Sequence, residues 1–203
     1  MTDYGKKTDR RIIRSRAALR QALLTLMADK PFSSISITEI VELANYNRGT
    51  FYANYESKDA LLSDIISNLI EKLLLSFRAP YEKKEFFRID QLPAHSVKLF
   101  DHIYEHSAIY TVLMKSDVRS VLRENMFAAL KRIATEELVH EGRDGIDEEL
   151  LAIHSIHALL GVVFHWVESG FKHSPDYMKE QLLKIVNYHP DVMKTAIKES
   201  KNK

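Results

Sequence analysis

Residues 36–54, which read SITEIVELANYNRGTFYAN, are the part of the sequence that most strongly indicates the fold. Ser36 and Glu39 have the spacing of a capping box, in which the Ser hydroxyl accepts from the Glu amide and the Glu carboxylate accepts from the Ser amide. The box precedes apolar residues at helical spacing, such as Ile40 and Val41. The sequence therefore predicts a two-turn amphipathic helix that begins after Ser36.

A three-residue turn and a second short helix follow. Asn45 and Asn47 suit the turn, because Asn tolerates left-handed backbone and its side chain caps helices. The next helix is predicted over about 47–54, with Phe51 buried. Two short helices separated by such a turn have the dimensions of a helix-turn-helix unit, whose second helix enters the major groove of DNA.

The exposed side chains of the second helix suit contact with DNA. Arg48 can bond guanine O6 and N7 or a phosphate, and Gly49 allows the helix backbone to come close. Thr50 offers a methyl group to thymine, and Tyr52 offers a hydroxyl to phosphate. An ordinary solvated helix face is the alternative reading. The residues predicted here to contact DNA are Asn47, Arg48, Gly49, Thr50, Tyr52, Ala53, Asn54 and Lys58.

Charge is distributed unevenly along the 203 residues. Residues 1–55 carry nine Lys and Arg against five Asp and Glu, and the whole chain has 29 against 28, so a head of +4 precedes a body of −3. A basic region is what approach to a phosphate backbone requires. With 6 Gly and 5 Pro, the composition disfavours a turn-rich β fold.

Other functional classes are excluded or disfavoured by composition. The chain has no cysteine, which excludes disulfides, thiolate-ligated zinc and thiol catalysis and suits a reducing cytosol. No apolar run approaches about 18 residues, so we expect no membrane span. The polar N-terminus lacks the apolar segment of a signal peptide, so we expect a cytoplasmic protein.

Periodicity predicts helices along the rest of the chain and no strand, so the predicted fold class is all-α with about nine helices. A long helix over about 58–78 has two apolar rows and is expected to touch both head and body. Residues 79–92 are expected to form a loop. The other predicted helices cover about 8–29, 93–106, 108–115, 117–140 and 147–169, and a last one opens at Ser174-Pro175 and breaks near Pro190.

Residues 15–66 resemble the TetR/AcrR family of bacterial transcriptional regulators. The run RGTFYANYESKDAL over 48–61 is similar to the family signature, and SRAAL at 15–19 and ITEIVELA at 37–44 resemble its first two helices. KPF at 30–32 with NRGTF at 47–51 is most similar to the branch that contains dihydroxyacetone-kinase operon activators. Asn45, Tyr46 and Asn54 depart from the family's usual Gly, small aliphatic residue and His. Arg16, Ser36 and Thr38 complete the predicted DNA-binding set.

The resemblance implies a homodimer whose two heads read a palindromic operator in double-stranded DNA. It divides the chain into a DNA-binding domain at 1–56 and an effector-binding and dimerisation domain at 57–203. An apolar segment around Ala158–Val167 supports a dimer interface independently, because it is apolar almost all round. The alternative is a core helix of a monomer. The predicted interface residues are Leu159, Gly161, Val162, Val163, Trp166, Leu182 and Ile185.

The sequence gives fewer indications of where an effector would bind than of where DNA would bind. Met and aromatic residues at helical spacing could line an apolar cavity for a small molecule, although such a stripe is more often simply core. The residues so predicted are Phe100, Tyr104, Tyr110, Met114, Met126, Phe127, His157 and Phe164. We expect a repressor controlled by such an effector. The alternative is an activator, or a regulator controlled by a partner protein that docks on the C-terminal domain.

Histidine pairs raise two further hypotheses. His102 and His106 share one helix face and His154 and His157 another, so each pair could bind zinc or nickel. No carboxylate at suitable spacing completes either set, so we predict no metal and no cofactor. A helical hydrolase using Asp101 and His102 is the enzyme alternative. It lacks a phosphate loop and a Gly-x-Ser-x-Gly elbow, so we predict that the protein is not an enzyme.

Overall fold

The computed structural model describes residues 3–82, 91–138 and 145–188. Within these ranges every regular element is helical, which confirms the all-α prediction. The first part holds α1 (Asp3–Asp29), a 3-10 turn η1 (Phe32–Ser34), α2 (Ile37–Leu43) and α3 (Arg48–Asn54). The second holds α4 (Lys58–Arg78), a 3-10 turn η2 (Ala94–Ser96), α5 (Leu99–Glu105), α6 (Ser107–Lys115), α7 (Arg119–Glu136), α8 (Glu148–Glu168) and α9 (Pro175–Val186).

Two element boundaries differ from the sequence prediction. The basic N-terminal segment lengthens α1, which begins at Asp3 rather than near residue 8. The single helix predicted over 93–106 is instead η2 followed by α5. It is interrupted because Val97 adopts an extended backbone with its side chain buried. The predicted break at Pro190, and most of the predicted 79–92 loop, lie outside the described residues.

The head, defined as α1, η1, α2 and α3, packs around a small apolar core, and the body is defined as η2 and α5 to α9. Leu19 and Leu23 on α1, Phe51 on α3 and Leu61 on α4 are fully buried. These residues recur at helical spacing in the sequence, so their burial follows from the amphipathic pattern. α4 therefore contributes apolar side chains to the core of the head.

The fourth helix joins the head to the body, as its two apolar rows predict. Its buried residues are Leu61, Leu62, Ile65, Ile66, Leu69, Ile70, Leu73 and Leu74. α4 contacts α1 on the head side and α5 and α7 on the body side. The exact division at residue 56 stays a prediction, since α4 belongs to both packing units.

The helix α8 is the most apolar element of the described residues. By length and composition alone it could cross a membrane, and it is the one described helix that meets those criteria. Its buried residues instead pack inside the body, mainly against α7 and α6. One side of α8 nevertheless remains exposed in a single copy of the chain, and it includes Leu150, Ala158 and Gly161 among polar residues.

Candidate nucleic-acid interface

The capping box at the start of α2 forms as predicted. The Glu39 amide donates to Ser36 Oγ at 3.3 Å, and the Ser36 amide donates to Glu39 Oε2 at 3.0 Å. Lys30 also pairs with the Glu39 carboxylate. The Lys30 hydrogen bond, followed by those from Ser36, lowers the pKa of Glu39 to about 2. The Ser36 hydroxyl is thus engaged in the cap, while Thr38 beside it is exposed.

The turn between α2 and α3 uses both asparagines in the predicted way. Asn45 adopts a left-handed backbone with φ of 57°. Asn47 caps α3, since its Oδ1 accepts from the Thr50 amide at 2.8 Å and from the Thr50 hydroxyl at 3.2 Å. A Cβ at Gly49 would lie 3.2 Å from the same Oδ1, so this position leaves little room for a side chain.

One face of α3 is open to solvent. Arg48, Gly49, Tyr52 and Ala53 are exposed, whereas Phe51 on the opposite face is buried. Arg48 reaches only Tyr52, whose hydroxyl accepts from Nη2 at 3.5 Å, and it forms no ion pair with any acid in the described part of the chain. The guanidinium is thus available for an external acceptor. The helix that the sequence assigned to the DNA groove is not covered by the body.

The Asn54 side chain, at the end of α3, contacts α1. Its Nδ2 donates to the Thr50 carbonyl at 2.8 Å and to Ser15 Oγ at 3.2 Å. The Ser15 side chain is buried beneath it. These bonds connect α3 to α1. Asn54 therefore fixes the orientation of α3, which the sequence did not indicate.

Arg16, predicted to contact DNA, belongs to a polar network centred on Asp64 of α4. Asp64 accepts from Arg16 Nη2 at 3.1 Å, from Arg20 Nε at 2.6 Å and from the Tyr55 hydroxyl at 2.6 Å. Arg16 Nε also donates to the Tyr55 hydroxyl at 3.1 Å. Partial burial acts to raise the pKa of Asp64, but the bonds from Arg20 and Tyr55 outweigh it and lower that pKa. The network ties α1 and the end of α3 to α4.

Lys58 has a different environment from the one predicted. Its ammonium donates to three backbone carbonyls, those of Phe32 at 2.9 Å, Ser33 at 3.1 Å and Ile35 at 2.8 Å. It also lies 4.6 Å from the centre of the Phe32 ring. An ammonium has three N–H donors, and all three are used here. The geometry therefore favours a clamp that holds η1 on α4 over a contact with phosphate.

Asp117, in the turn between α6 and α7, contacts the head directly. Its Oδ1 accepts from the Phe32 amide at 2.7 Å and its Oδ2 from the Ser33 amide at 3.0 Å. The same segment is therefore held through its carbonyls by Lys58 and through its amides by the body. Sequence reasoning missed this residue, because 85 positions separate it from Phe32 and nothing local signals the contact.

Most of the predicted effector-pocket residues form the packed core of the body. Phe100, Tyr110, Met114, Met126 and Phe164 are buried. Phe127 is half-buried with its ring 4.5 Å from that of the exposed His157, and Tyr104 is half exposed beside Trp166. Their helical spacing places them against one another, as core residues at that spacing usually are.

Two open clefts of about 500 Å³ occur on the described surface. The first lies between α8 and the start of α9 and includes His157, Gly161, Val162 and Trp166. The second lies along the α6–α7 turn and includes Met114 and Asp117. Of the predicted pocket residues, only His157 and Met114 line either cleft.

The first histidine pair is built into the core. His102 is buried, its Nε2 lies 3.3 Å from the Tyr110 hydroxyl, and His106 Nδ1 lies 2.9 Å from the His102 carbonyl. Burial, with a smaller contribution from His106, lowers the pKa of His102 to about 4. In the described ranges no three His, Cys, Asp or Glu side chains of one chain converge as metal ligands.

The predicted interface residues divide between two environments. Val163 and Trp166 are buried within the body, and Trp166 Nε1 donates to the His173 carbonyl at 2.9 Å. Gly161 and Ile185 are exposed. Leu159, Val162 and Leu182 are half-buried. An uncovered surface thus remains on α8 and α9.

Comparison with protein families gives two matches along the chain. Residues 19–65 match the family model described as bacterial regulatory proteins of the tetR family, and residues 90–188 match that of a transcriptional regulator C-terminal region of the same family. The first match covers the end of α1, the helix-turn-helix and the beginning of α4. The second covers almost all of the body that follows α4.

Individual proteins show the same likeness. The chain is 25% identical over 184 residues to the HTH-type transcriptional regulator YxbF of Bacillus subtilis, covering 90% of this chain but only 47%, about half, of that relative. Among solved structures, it is similar to a TetR transcriptional regulator from Streptococcus agalactiae, with a TM-score of 0.65 at 21% identity over 90% of this chain and 98% of the other. It is also similar to the dihydroxyacetone kinase operon activator DhaS, with a TM-score of 0.57 at 15% identity over 85% and 93%.

Proposed function

Because the chain belongs to the TetR family of bacterial regulatory proteins, we propose that it is a homodimeric, sequence-specific DNA-binding transcriptional regulator of the cytoplasm. The family's proteins are regulators, in agreement with the prediction that this chain is not an enzyme. The observation that carries the proposal is the exposed face of α3, where Arg48 has no acidic partner within residues 3–82, 91–138 and 145–188 and Tyr52 lies beside it. We propose that the DNA-contacting set is centred on Asn47, Arg48, Gly49, Thr50, Tyr52 and Ala53.

A homodimer makes more contacts with DNA than a single head can make. One short helix contacts few phosphates, and two heads related by a two-fold axis double the contacts and read a palindrome. The exposed part of α8 and the exposed Ile185 and Val186 of α9 support a second copy as the occupant of that surface. We infer repression by occupancy of a promoter-proximal operator.

The experiment is selection of bound duplexes from a random library, together with footprinting on the promoter of the chain's own gene. We expect a palindrome whose half-sites are separated by about one helical turn, roughly 10 base pairs, or a multiple of it. A reporter fused to that promoter should rise when the gene is deleted. A library that returns no enriched sequence would contradict the proposal.

Control by a partner protein is a second candidate for regulation. The packing of the predicted pocket residues favours it, because Phe100, Tyr110 and Met126 fill the core against each other. Thermal shift against metabolites, with a pull-down in parallel, separates the two. A metabolite that raises the melting temperature and releases the operator supports the small-molecule effector. A captured protein that releases the operator, with no metabolite effect, supports the partner.

A further inference from the structure

The outward side of α8 carries an unusual set of polar residues on an otherwise apolar helix. We call it the α8 stripe and define it as His154, His157, Ala158, Gly161, His165 and Glu168, which are exposed in a single copy. Positions three, four, seven and eight apart share one helix face, so the six residues form one band. Its two smallest residues lie in the middle and its titratable groups lie at both ends.

A second copy of the chain is the occupant that fits this stripe, a step that rests on the homodimer of the proposed function. α8 packs on α6 and α7, whereas α9 packs on α5 and η2, which leaves the cleft of about 500 Å³ between them. Apolar side chains continue the surface, since Leu150 is 66% exposed and Ile185 is 54% exposed. Large apolar side chains exposed on neighbouring helices in this way are typical of an association site.

Gly161 is the natural crossing point for the two copies of α8. A Cβ built there meets no atom within 4 Å, so the backbone at Gly161 is open to the approach of another helix. Small residues permit helices to approach to about 8 Å, the short end of interaxial distances. In a two-fold interface the same patch meets itself, so a two-fold axis that crosses α8 at right angles at Gly161 runs the two helices antiparallel in this region.

That register brings together residues equally far from Gly161. His157 and His165 lie four residues to either side, so His157 faces His165 of the partner subunit. His154 and Glu168 lie seven residues to either side, so His154 faces Glu168 of the partner subunit. Each end of the two paired α8 stripes then brings together three imidazoles and one carboxylate, with two of these groups from each copy.

We propose that each such group, formed by His154 and His157 of one copy with His165 and Glu168 of the other, is a binding site for a divalent metal ion of the zinc or nickel class. Three His and one carboxylate are ligands that these ions prefer, and four of them suit tetrahedral zinc. The site is incomplete in one chain, where the His pair and the His-Glu pair lie on opposite sides of Gly161. A dimer has two equivalent sites.

The hydrogen bonding of His157 supports a ligand role. Its Nδ1 lies 2.9 Å from the Ile153 carbonyl, so Nδ1 carries the proton and Nε2 keeps its lone pair for a metal ion. Metal-bound histidines characteristically donate their other ring nitrogen to a carbonyl or carboxylate in this way. Among the residues that the structure describes, Glu168 pairs only with Arg119 at 3.8 Å, an exposed contact that a metal would readily displace.

The test is zinc binding to the full-length protein, measured by isothermal titration together with sedimentation of the dimer. We expect two Zn²⁺ per dimer and a dimer dissociation constant at least tenfold lower with Zn²⁺ than with a chelator. The variant His154→Ala/His157→Ala and the variant His165→Ala/Glu168→Gln should each lose both ions. His95→Ala, an exposed histidine on η2, is the matched control and should bind like the wild type.

Mixed dimers test whether the ligands come from two copies. Co-expressing the two double variants with different tags yields dimers in which one end has all four ligands and the other has none. We expect one Zn²⁺ per mixed dimer, although neither parent homodimer binds any. Mixed dimers that bind no zinc, or parent dimers that still bind it, would overturn the site.

Crosslinking tests the register separately from the metal. The chain has no cysteine, so Gly161→Cys introduces one thiol per copy. We expect oxidation to trap a covalent dimer of Gly161→Cys and to leave Lys115→Cys, on α6, without a covalent crosslink. A dimer in sedimentation that crosslinks through Ala158→Cys but not Gly161→Cys would overturn the register and the metal site built on it, and would leave the proposed homodimer standing. A wild-type chain that sediments as a monomer on and off DNA would overturn the proposed function itself.

Discussion

At the scale of single residues, the structure separates side chains that are free to contact DNA from those that hold the head together. Arg48 and Tyr52 present their polar groups to solvent. Lys58 instead donates its hydrogen bonds to backbone carbonyls, and Arg16 donates to the Asp64 network. The sequence could predict which residues have suitable chemistry. It could not predict which donors are already used, because the acceptors lie 23 to 48 positions away.

Replacing Arg48 with alanine removes the one guanidinium on the exposed face of α3. We expect affinity for the selected operator to fall by about 1–3 kcal/mol if Arg48 reads a base, with affinity for random duplex nearly unchanged. Fluorescence anisotropy with the operator and with the random duplex measures the two affinities. Arg132→Ala, an exposed arginine on α7, is the control and should bind both duplexes normally. Unchanged operator binding by Arg48→Ala would contradict its role.

Replacing Lys58 with methionine keeps the aliphatic stem and removes the ammonium from three carbonyls, of which that of Phe32 still accepts from the Ile35 amide at 3.1 Å. Because the bonds to Phe32 and Ile35 are partly buried, we expect a loss of about 1–3 kcal/mol in the free energy of unfolding, measured with urea. Lys72→Met on the exposed side of the same helix should change little. A phosphate contact predicts the reverse pattern, with normal stability and weaker binding to every duplex.

At the scale of elements, local rules account for the helix-turn-helix well. The capping box, the left-handed Asn45 and the Asn47 cap all depend on neighbours within a few residues, and all three form. The split of the predicted 93–106 helix could not be predicted, because the burial of Val97 depends on elements distant in sequence. The apolar rows of α4 predicted its contact with both head and body.

Removing the Asn47 cap tests how α3 is positioned. Asn47→Ala leaves the amide of Thr50 without its acceptor, so we expect the free energy of unfolding to fall by about 1 kcal/mol, as for other N-cap replacements. Operator binding should weaken too, since the start of α3 frays. Asn125→Ala, which removes an exposed side chain within α7, serves as the comparison. Equal stabilities of the two variants would contradict the cap.

At the scale of the whole molecule, head and body are connected through α4, through the packing of α1 on α6, and through η1. Lys58 holds the carbonyls of that segment and Asp117 holds its amides. A movement of the α6–α7 turn therefore changes the support of the head directly. The sequence predicted the connection through α4. It did not predict the α1–α6 packing or the contact with η1, which depend on tertiary packing alone.

The stability of the whole protein should depend on pH through His102. Its pKa falls from 6.5 to about 4 on folding, so the unfolded chain binds a proton first as the pH drops. The stabilisation is complete above about 6.5 and is lost progressively towards 4, by about 3 kcal/mol in full. Urea unfolding of His102→Gln should show a flatter pH dependence between 7 and 4 than the wild type. His95→Gln should follow the wild type, and a His102→Gln curve parallel to it would contradict this origin.

Whether α3 reads base sequence is tested by titration of the protein against the selected operator and a scrambled duplex of equal length over a salt series. We expect two chains per operator and an affinity at least about a thousandfold higher than for the scrambled duplex at physiological salt. Both affinities should fall steeply with salt, because the basic heads release counterions from phosphate. Equal affinities for the two duplexes, or binding that does not respond to salt, would contradict a head that reads base sequence through α3.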